Sequence, residues 1–242
     1  MTVTSPSIGS ASRIDTVWAV LRLLVVIVAI AATFEQARLA AQLAEALDIE
    51  PITAIGRLFT FFTVLSNTSL IVVLAIAGVR TLRVPEPLDP RWLAILLVSM
   101  STAMIVTGLV YNVVLRSVGD ADISSGWSNA VHHVVGPLFV LADLLFAPRR
   151  RALPWSAALW GLVLPLAWSA LTLATGPFRE SFSTGRPPWY PYPFLDPATA
   201  GGYGGVALWV LGIAALFVVV TLTEVAIGRW RGRPAPLGDQ SA

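Results

Sequence analysis

Two adjacent histidines, His132 and His133, are the only histidines in the chain, and they open an apolar run from Asn129 to Phe146. An ionisable ring kept within hydrocarbon is costly, so its retention points to function by default. Pro137, four residues beyond His133, cannot donate to the His133 carbonyl and so leaves an extra acceptor beside the rings. A second polar stripe lies in LFTFFTVLSNTSL, which holds Thr60, Thr63, Ser66 and Asn67. On one continuous helix Thr60, Thr63 and Asn67 share a face, being three and four residues apart. Together these residue types suit nucleophilic chemistry, because a threonine hydroxyl attacks only when an adjacent base takes its proton, and neutral imidazole can be that base. Asn129, three and four residues before the histidines, and Asn67 are candidates to orient an imidazole or to donate to an oxyanion. A plainer role is also open. Thr and Ser in membrane helices commonly bond their own i−4 carbonyl, and histidines can simply tie neighbouring helices together.

The elements that must position these groups are membrane helices. Of the 242 residues 56% are hydrophobic and only 12% charged, with mean hydropathy +0.75, far from the roughly 25% charged residues of soluble domains. About 20 apolar residues cross the hydrocarbon core, and six stretches have that length: Val17–Phe34, Leu58–Val79, Trp92–Leu115, Asn129–Phe146, Trp155–Ala174 and Gly204–Ile227. The expected fold class is therefore an all-α integral membrane protein, a single domain built as a six-helix bundle.

Arginine placement orients it, since cytoplasmic loops carry the positive excess. Arg13, then Arg80, Arg83 and Arg91, then Arg149, Arg150 and Arg151, then Arg229, Arg231 and Arg233 fall on one side. Glu35, Glu45, Asp48, Glu50, Asp120, Asp122, Glu180 and Asp196 fall on the other. Both termini are then expected in the cytoplasm. The net charge of +2 reflects arginines divided among short loops rather than one basic stripe, which argues against a nucleic-acid partner. Absence of cysteine excludes disulfides and thiol chemistry. In this topology the second and fourth spans both run from outside to inside, which places Thr63 and His133 at one level, roughly 8–9 Å below the outer end. An ester entering from the outer leaflet would meet water at that depth, so membrane lipids are the expected partners.

The longest outer segment holds RPPWYPYPFLDP, in which Trp189, Tyr190, Tyr192 and Phe194 alternate with prolines. Such a backbone is stiff and poor in amide donors. It reads as an aromatic belt at headgroup depth or as a rigid lid over an outward cavity, in which Trp189, Tyr190, Tyr192 and Asp196 would touch substrate. Residues Ala37 to Asp48 continue the first helix or form an interfacial turn. Toward the inner face Arg22, Asp143 and Glu224 suggest a structural charge cluster, paired through Arg22 or snorkelling; a proton or ion path from there to the histidines would instead make a transporter. Adjacent histidines point about 100° apart and cannot bind both faces of one haem, while zinc would need carboxylates such as Glu35 or Asp196 near the outer mouth. Neither a metal nor another cofactor is expected.

At these residues the chain resembles a family. FFTVLSN, HHVVGPLFVLADLLF and WYPYPFLDP followed by GGYGG are similar to segments of the Pr-six-Pr family of bacterial six-helix membrane proteins, over nearly the whole bundle. More distantly, the threonine of the second span and the histidine of the fourth resemble the androgen-induced-gene-product family of membrane threonine hydrolases, which cleave fatty acid esters of hydroxy fatty acids. The resemblance implies a six-helix lipid-ester hydrolase of the bacterial cytoplasmic membrane. Its nucleophile would be Thr63 if FFT is matched, or Thr60 if the match is anchored on Asn67. Its base would be His133 if WSNAVHH is aligned from Trp127, or His132 if counted back from Pro137. The chain has one residue fewer between histidine and proline than that pattern. The other expectation from the same residues is a non-enzymatic membrane protein that binds, transports or merely packs through this polar cavity.

Overall fold

The computed structural model describes residues 12–84, 86–116, 123–181 and 185–231. The two ends, with Arg233, and the loop residues 117–122, with Asp120 and Asp122, lie outside the described residues. Apart from an isolated bridge at Arg151, the described residues form helices, turns and loops. Six helices are long and apolar enough to cross a membrane: α1 (Arg13–Ala46), α3 (Phe62–Arg83), α4 (Arg91–Leu115), α5 (Gly126–Phe146), α6 (Trp155–Phe178) and α8 (Gly202–Arg231). Two short helices join them, α2 (Pro51–Leu58) and α7 (Pro197–Ala200).

Ser12 starts α1 through a capping box with Asp15, which satisfies two of the amides left open at a helix start. The helix then runs unbroken for 34 residues, so Ala37 to Ala46 extend it, as one of the two expectations for that stretch had it. The second span departs from expectation. Rather than beginning at Leu58, the chain ends α2 there, turns through Phe59, Thr60 and Phe61, and starts α3 at Phe62. Thr60 therefore stands in a turn and does not share a helix face with Thr63 and Asn67.

The bundle is inside out relative to a soluble protein. Ser99, Ser101, Thr102, Thr107, Asn67 and both histidines are buried, whereas Leu24, Ile27, Ile30, Leu208, Leu211 and Val219 are exposed. Helix α4 is the centre, packed against α3, α5, α6 and α8, while α1 packs on α3 and on α5. Small residues allow the close approaches. A Cβ on Gly78 of α3 would lie 3.2 Å from the Ala19 carbonyl of α1, and one on Gly108 of α4 would lie 2.6 Å from Pro137 Cγ and 3.2 Å from the His133 carbonyl. Such small-residue contacts are the usual means of bringing membrane helices together.

One end of the bundle collects the charges. Asp143 of α5 accepts from Arg22 Nε at 2.7 Å and Nη2 at 3.1 Å, and from Arg150 Nη2 at 2.8 Å. Glu224 does not join Arg22; its Oε1 accepts from Thr102 at 3.3 Å. Glu224 nonetheless lies within electrostatic reach of Arg150 and Asp143, so the expected cluster is centred on the Arg22–Asp143 pair and gains Arg150, which the sequence reading did not single out. Nearby, Arg151 Nε donates to the carbonyl of Asp89 at 2.8 Å, and burial pushes the Asp89 carboxyl above its usual range against the pull of Arg22 and Arg150. Arg229 and Arg231 donate to the Leu153 and Leu144 carbonyls, closing this end.

Two outcomes follow for purified protein in detergent. Asp143→Asn leaves two buried guanidiniums short of a counter-charge and is expected to cost about 3–5 kcal/mol, read as a large fall in melting temperature. Gly108→Ala is expected to cost about 1–3 kcal/mol by overpacking against Pro137; an unchanged melting temperature would contradict the close α4–α5 contact.

Candidate active site

Pro137 shapes the local helix. With no amide from Pro137, α5 widens into a π-helical turn at Val131–Val135, where the Gly136 amide reaches back five residues to the Val131 carbonyl. Such turns recur at functional sites. The stranded His133 carbonyl is taken up by the neighbouring helix, since Asn112 Nδ2 donates to it at 2.9 Å and to the Gly108 carbonyl at 2.8 Å. Helix α4 ends in a π turn of its own at Tyr111–Leu115. Tyr111 lies flat on His133, ring centroids 3.7 Å apart and planes 16° apart.

The two imidazoles diverge. His132 Nε2 meets Thr33 Oγ1 of α1 at 3.3 Å, and His133 Nε2 meets Thr63 Oγ1 of α3 at 3.3 Å. Behind His133, Nδ1 lies 2.8 Å from Asn129 Oδ1 and 3.2 Å from the Asn129 backbone carbonyl. The carbonyl can only accept, so Nδ1 carries the proton and Nε2 of the neutral ring is left to accept from the Thr63 hydroxyl. Asn129 is turned by Tyr111, whose hydroxyl accepts from Asn129 Nδ2 at 2.5 Å.

Thr63 is the second residue of α3, where a backbone amide has no acceptor within its own helix. That amide donates to the Tyr192 hydroxyl at 3.3 Å, and Thr63 Oγ1 lies 3.2 Å from the same hydroxyl. With the Thr63 proton directed at His133, Tyr192 must donate to Oγ1 while accepting from the amide. The proline-rich segment holds Tyr192 there by stacking it on Phe194 and against the edges of Phe61 and Trp168. Thr63 and His133 are 3% and 1% exposed.

The other expected site residues are distributed as follows. Thr60 Oγ1 donates to the Arg57 carbonyl at 2.7 Å, away from both rings. Asn67 Nδ2 donates back to the Thr63 carbonyl at 2.9 Å, and Ser66 bonds that carbonyl and Thr107, so neither addresses the Thr63 hydroxyl. Trp189 packs edge-on to Phe61. Tyr190 fits against Gly176, where a Cβ would lie 2.2 Å from its ring; burial, aided by Tyr203, raises its hydroxyl pKa. Asp196 caps α7 through the Ala198 amide at 2.9 Å, and Glu35 pairs with Arg38. Among the described residues no group of three histidine or acidic side chains comes together as a metal site. The sequence reading missed Thr33, Thr107, Tyr111 and Asn112. Asn112 carried a usable signal as an amide side chain within the third apolar run, one turn after Gly108, but nothing linked Tyr111 to the histidine.

Beside Thr63 opens a narrow cleft lined by apolar residues including Phe62, Val106, Leu162, Pro165, Ile213 and Phe217. The hydroxyl-bearing Thr63, Thr107, Tyr111, Ser169 and Tyr192 also line it, and half-exposed Leu166 lies on its wall. Such a lining, apolar with a few convergent hydroxyls at one end, is of the kind that receives an acyl chain. The charge cluster at the other end of the bundle is remote from this site: Asp143 follows His133 by ten residues on α5, roughly 15 Å along the axis.

Comparison with known proteins adds no neighbour: no family model, no curated protein and no solved structure matches the chain.

The tautomer is open to direct observation. In ¹⁵N NMR of imidazole-labelled protein at neutral pH, His133 is expected as a single Nδ1–H form, and Asn129→Ala is expected to give a mixture of tautomers; a dominant Nε2–H form in the wild type would contradict the arrangement.

Proposed function

We propose that the protein is an integral membrane hydrolase of lipid esters, with Thr63 as nucleophile, His133 as general base and Asn129 as the residue that positions the base. The observation that carries this reading is the hydrogen-bonded series Thr63 Oγ1, His133 Nε2, His133 Nδ1, Asn129 Oδ1, at 3.3 Å and 2.8 Å, at the end of an apolar cleft. Nucleophile, base and orienting group in that order are the general mark of covalent acyl transfer.

In the proposed reaction an acyl chain occupies the cleft and its ester carbonyl reaches Thr63. Oγ attacks the carbonyl carbon as its proton passes to His133 Nε2. Negative charge then develops on the carbonyl oxygen, where the Tyr192 hydroxyl and the positive end of α3 are placed to stabilise it. The carbon–oxygen bond to the alcohol breaks, and His133 returns the proton to the leaving alkoxide. Water then attacks the acyl-threonine with His133 again as base, releasing the fatty acid and restoring Thr63. Thr60, His132 and Asn67 take no part.

The same reading seats the arginine-rich end of the bundle and both termini in the cytoplasm, following the positive-inside rule, with Thr63 near the outer leaflet of a bacterial cytoplasmic membrane. It also aligns the chain with the Pr-six-Pr proteins and, through them, with the androgen-induced-gene-product hydrolases, with FFT as the anchor for Thr63 and WSNAVHH as the anchor for His133.

Labelling of the purified protein by a fluorophosphonate probe, together with turnover of a panel of lipid esters, tests the proposal. Both are expected to vanish in Thr63→Ala and to fall about 10²–10⁴-fold in His133→Ala. Tyr192→Phe is expected to lose about 10²-fold or more in kcat, and Thr60→Ala to stay near wild type. Labelling that survives in Thr63→Ala, or a folded wild type that neither labels nor turns over any ester, would overturn the assignment in favour of a binding or packing role.

A further inference from the structure

A second, open groove of about 450 Å³ lies at the same end of the bundle as Thr63 but outside the cleft. Two guanidiniums enter it from different elements, Arg57 from the last turn of α2 and Arg179 from just beyond α6. Arg57 Nη1 donates to the Glu180 carbonyl oxygen at 3.1 Å, and Arg179 Nε donates to Thr175 Oγ1 at 2.9 Å. Among the described residues no carboxylate pairs with Arg179, although Glu180 adjoins it and its exposed side chain also borders the groove. Burial, and then the neighbouring charge of Arg57, makes Arg179 easier to deprotonate than an ordinary arginine. Two adjacent like charges repel unless an anion lies between them.

The surroundings set the depth of this groove. Ile52 and Phe59 flank Arg57 along the chain and are 73% and 49% exposed, and Phe178, immediately before Arg179, is 83% exposed. Exposed apolar side chains beside arginines mark a surface seated at the membrane interface, where apolar groups enter the acyl region and guanidiniums stay at phosphate level. Trp189 and the Thr53 hydroxyl complete the lining. Guanidinium groups match phosphate oxygens in a planar, two-pronged fashion that a lone cation does not.

We propose that Arg57 and Arg179 form a binding site for a phosphoryl anion, presented as the headgroup of a phospholipid in the leaflet that Ile52 and Phe178 enter. The site is independent of catalysis at Thr63. Thr60 borders the groove, and its carbonyl accepts from Trp168 of the cleft wall at 2.9 Å, so a bound headgroup stands beside the cleft rather than in it.

The test is a titration of the full chain in detergent, followed by tryptophan fluorescence, with dihexanoyl-phosphatidylglycerol, with neutral dihexanoylglycerol and with inorganic phosphate. It is run on wild type and on Thr63→Ala, so that hydrolysis of the probe lipid does not enter. Phosphatidylglycerol is expected to bind about tenfold or more tightly than dihexanoylglycerol. Arg57→Gln and Arg179→Gln are each expected to weaken it about tenfold, with dihexanoylglycerol unaffected, while Arg→Lys at either position recovers part of the loss. Equal binding of the two lipids by wild type overturns the proposal without any variant, and unchanged phosphatidylglycerol affinity in both Gln variants overturns it independently. Inorganic phosphate binding as tightly as the lipid, with the same loss in the Gln variants, overturns the headgroup assignment and gives the site to free phosphate.

Discussion

Pro137 sits inside an apolar helix with no amide to offer the carbonyl of buried His133, and a buried carbonyl without a donor is costly. Two adjustments accompany this: the helix widens by one residue at Val131–Val135, so that the Gly136 amide reaches the Val131 carbonyl, and Asn112 donates to the His133 carbonyl from α4. The second requires the helices to touch, which Gly108 permits and a larger residue would prevent. Once α4 and α5 are held this closely, Tyr111 stacks on the His133 ring and its hydroxyl turns Asn129. The widened turn also sets the directions of the two imidazoles. A solution to a backbone problem thereby fixes the position, plane and tautomer of one side chain.

The opposite end of the bundle obeys the same constraint with full charges. Asp143 lies between Arg22 and Arg150, with side-chain exposures of 2%, 1% and 8% for Arg22, Asp143 and Arg150, and a buried charge is tolerable only when so paired. The pair ties α1 to α5, and the Gly108 contact ties α4 to α5. Helix α3, packed between α1 and α4, then has little freedom to slide. Thr63 reaches across to His133 from the helix diagonally opposite, so their hydrogen bond depends on packing set elsewhere rather than on direct packing of α3 against α5.

Several of these features are written in the composition. Six apolar runs of spanning length define the number of long helices, because length and hydropathy are local properties. Asn129 four residues before His133 is likewise a local helical relation. Thr60 shows where local reasoning stops. The chain leaves the helix at Phe59–Phe61 with neither proline nor glycine in that turn, and Tyr192 and Trp168 take up the backbone groups so released; these partners lie over a hundred residues away. The choice between His132 and His133 fails for a related reason, since a one-residue widening of the helix rotates everything beyond it. Depth alone pairs Glu224 with Arg22, but depth does not specify which side of a helix a residue occupies.

Tyr192 carries a consequence for the order of events under the proposed reaction. In the resting site its single proton is donated to Thr63 Oγ, because the Thr63 proton is committed to His133. When Oγ bonds to an acyl carbon it becomes a poorer acceptor, while the former carbonyl oxygen gains charge and becomes a better one. The same hydroxyl can then move its hydrogen bond to the oxyanion, gaining strength as the transition state forms rather than on substrate binding, which is the condition for accelerating the chemical step. The backbone amide of Thr63 holds the Tyr192 oxygen in place throughout, since that amide has no other acceptor in its helix. A tyrosine on a stiff, proline-bound segment suits such a transfer, because Phe194, Phe61 and Trp168 keep its ring positioned while its proton changes partner.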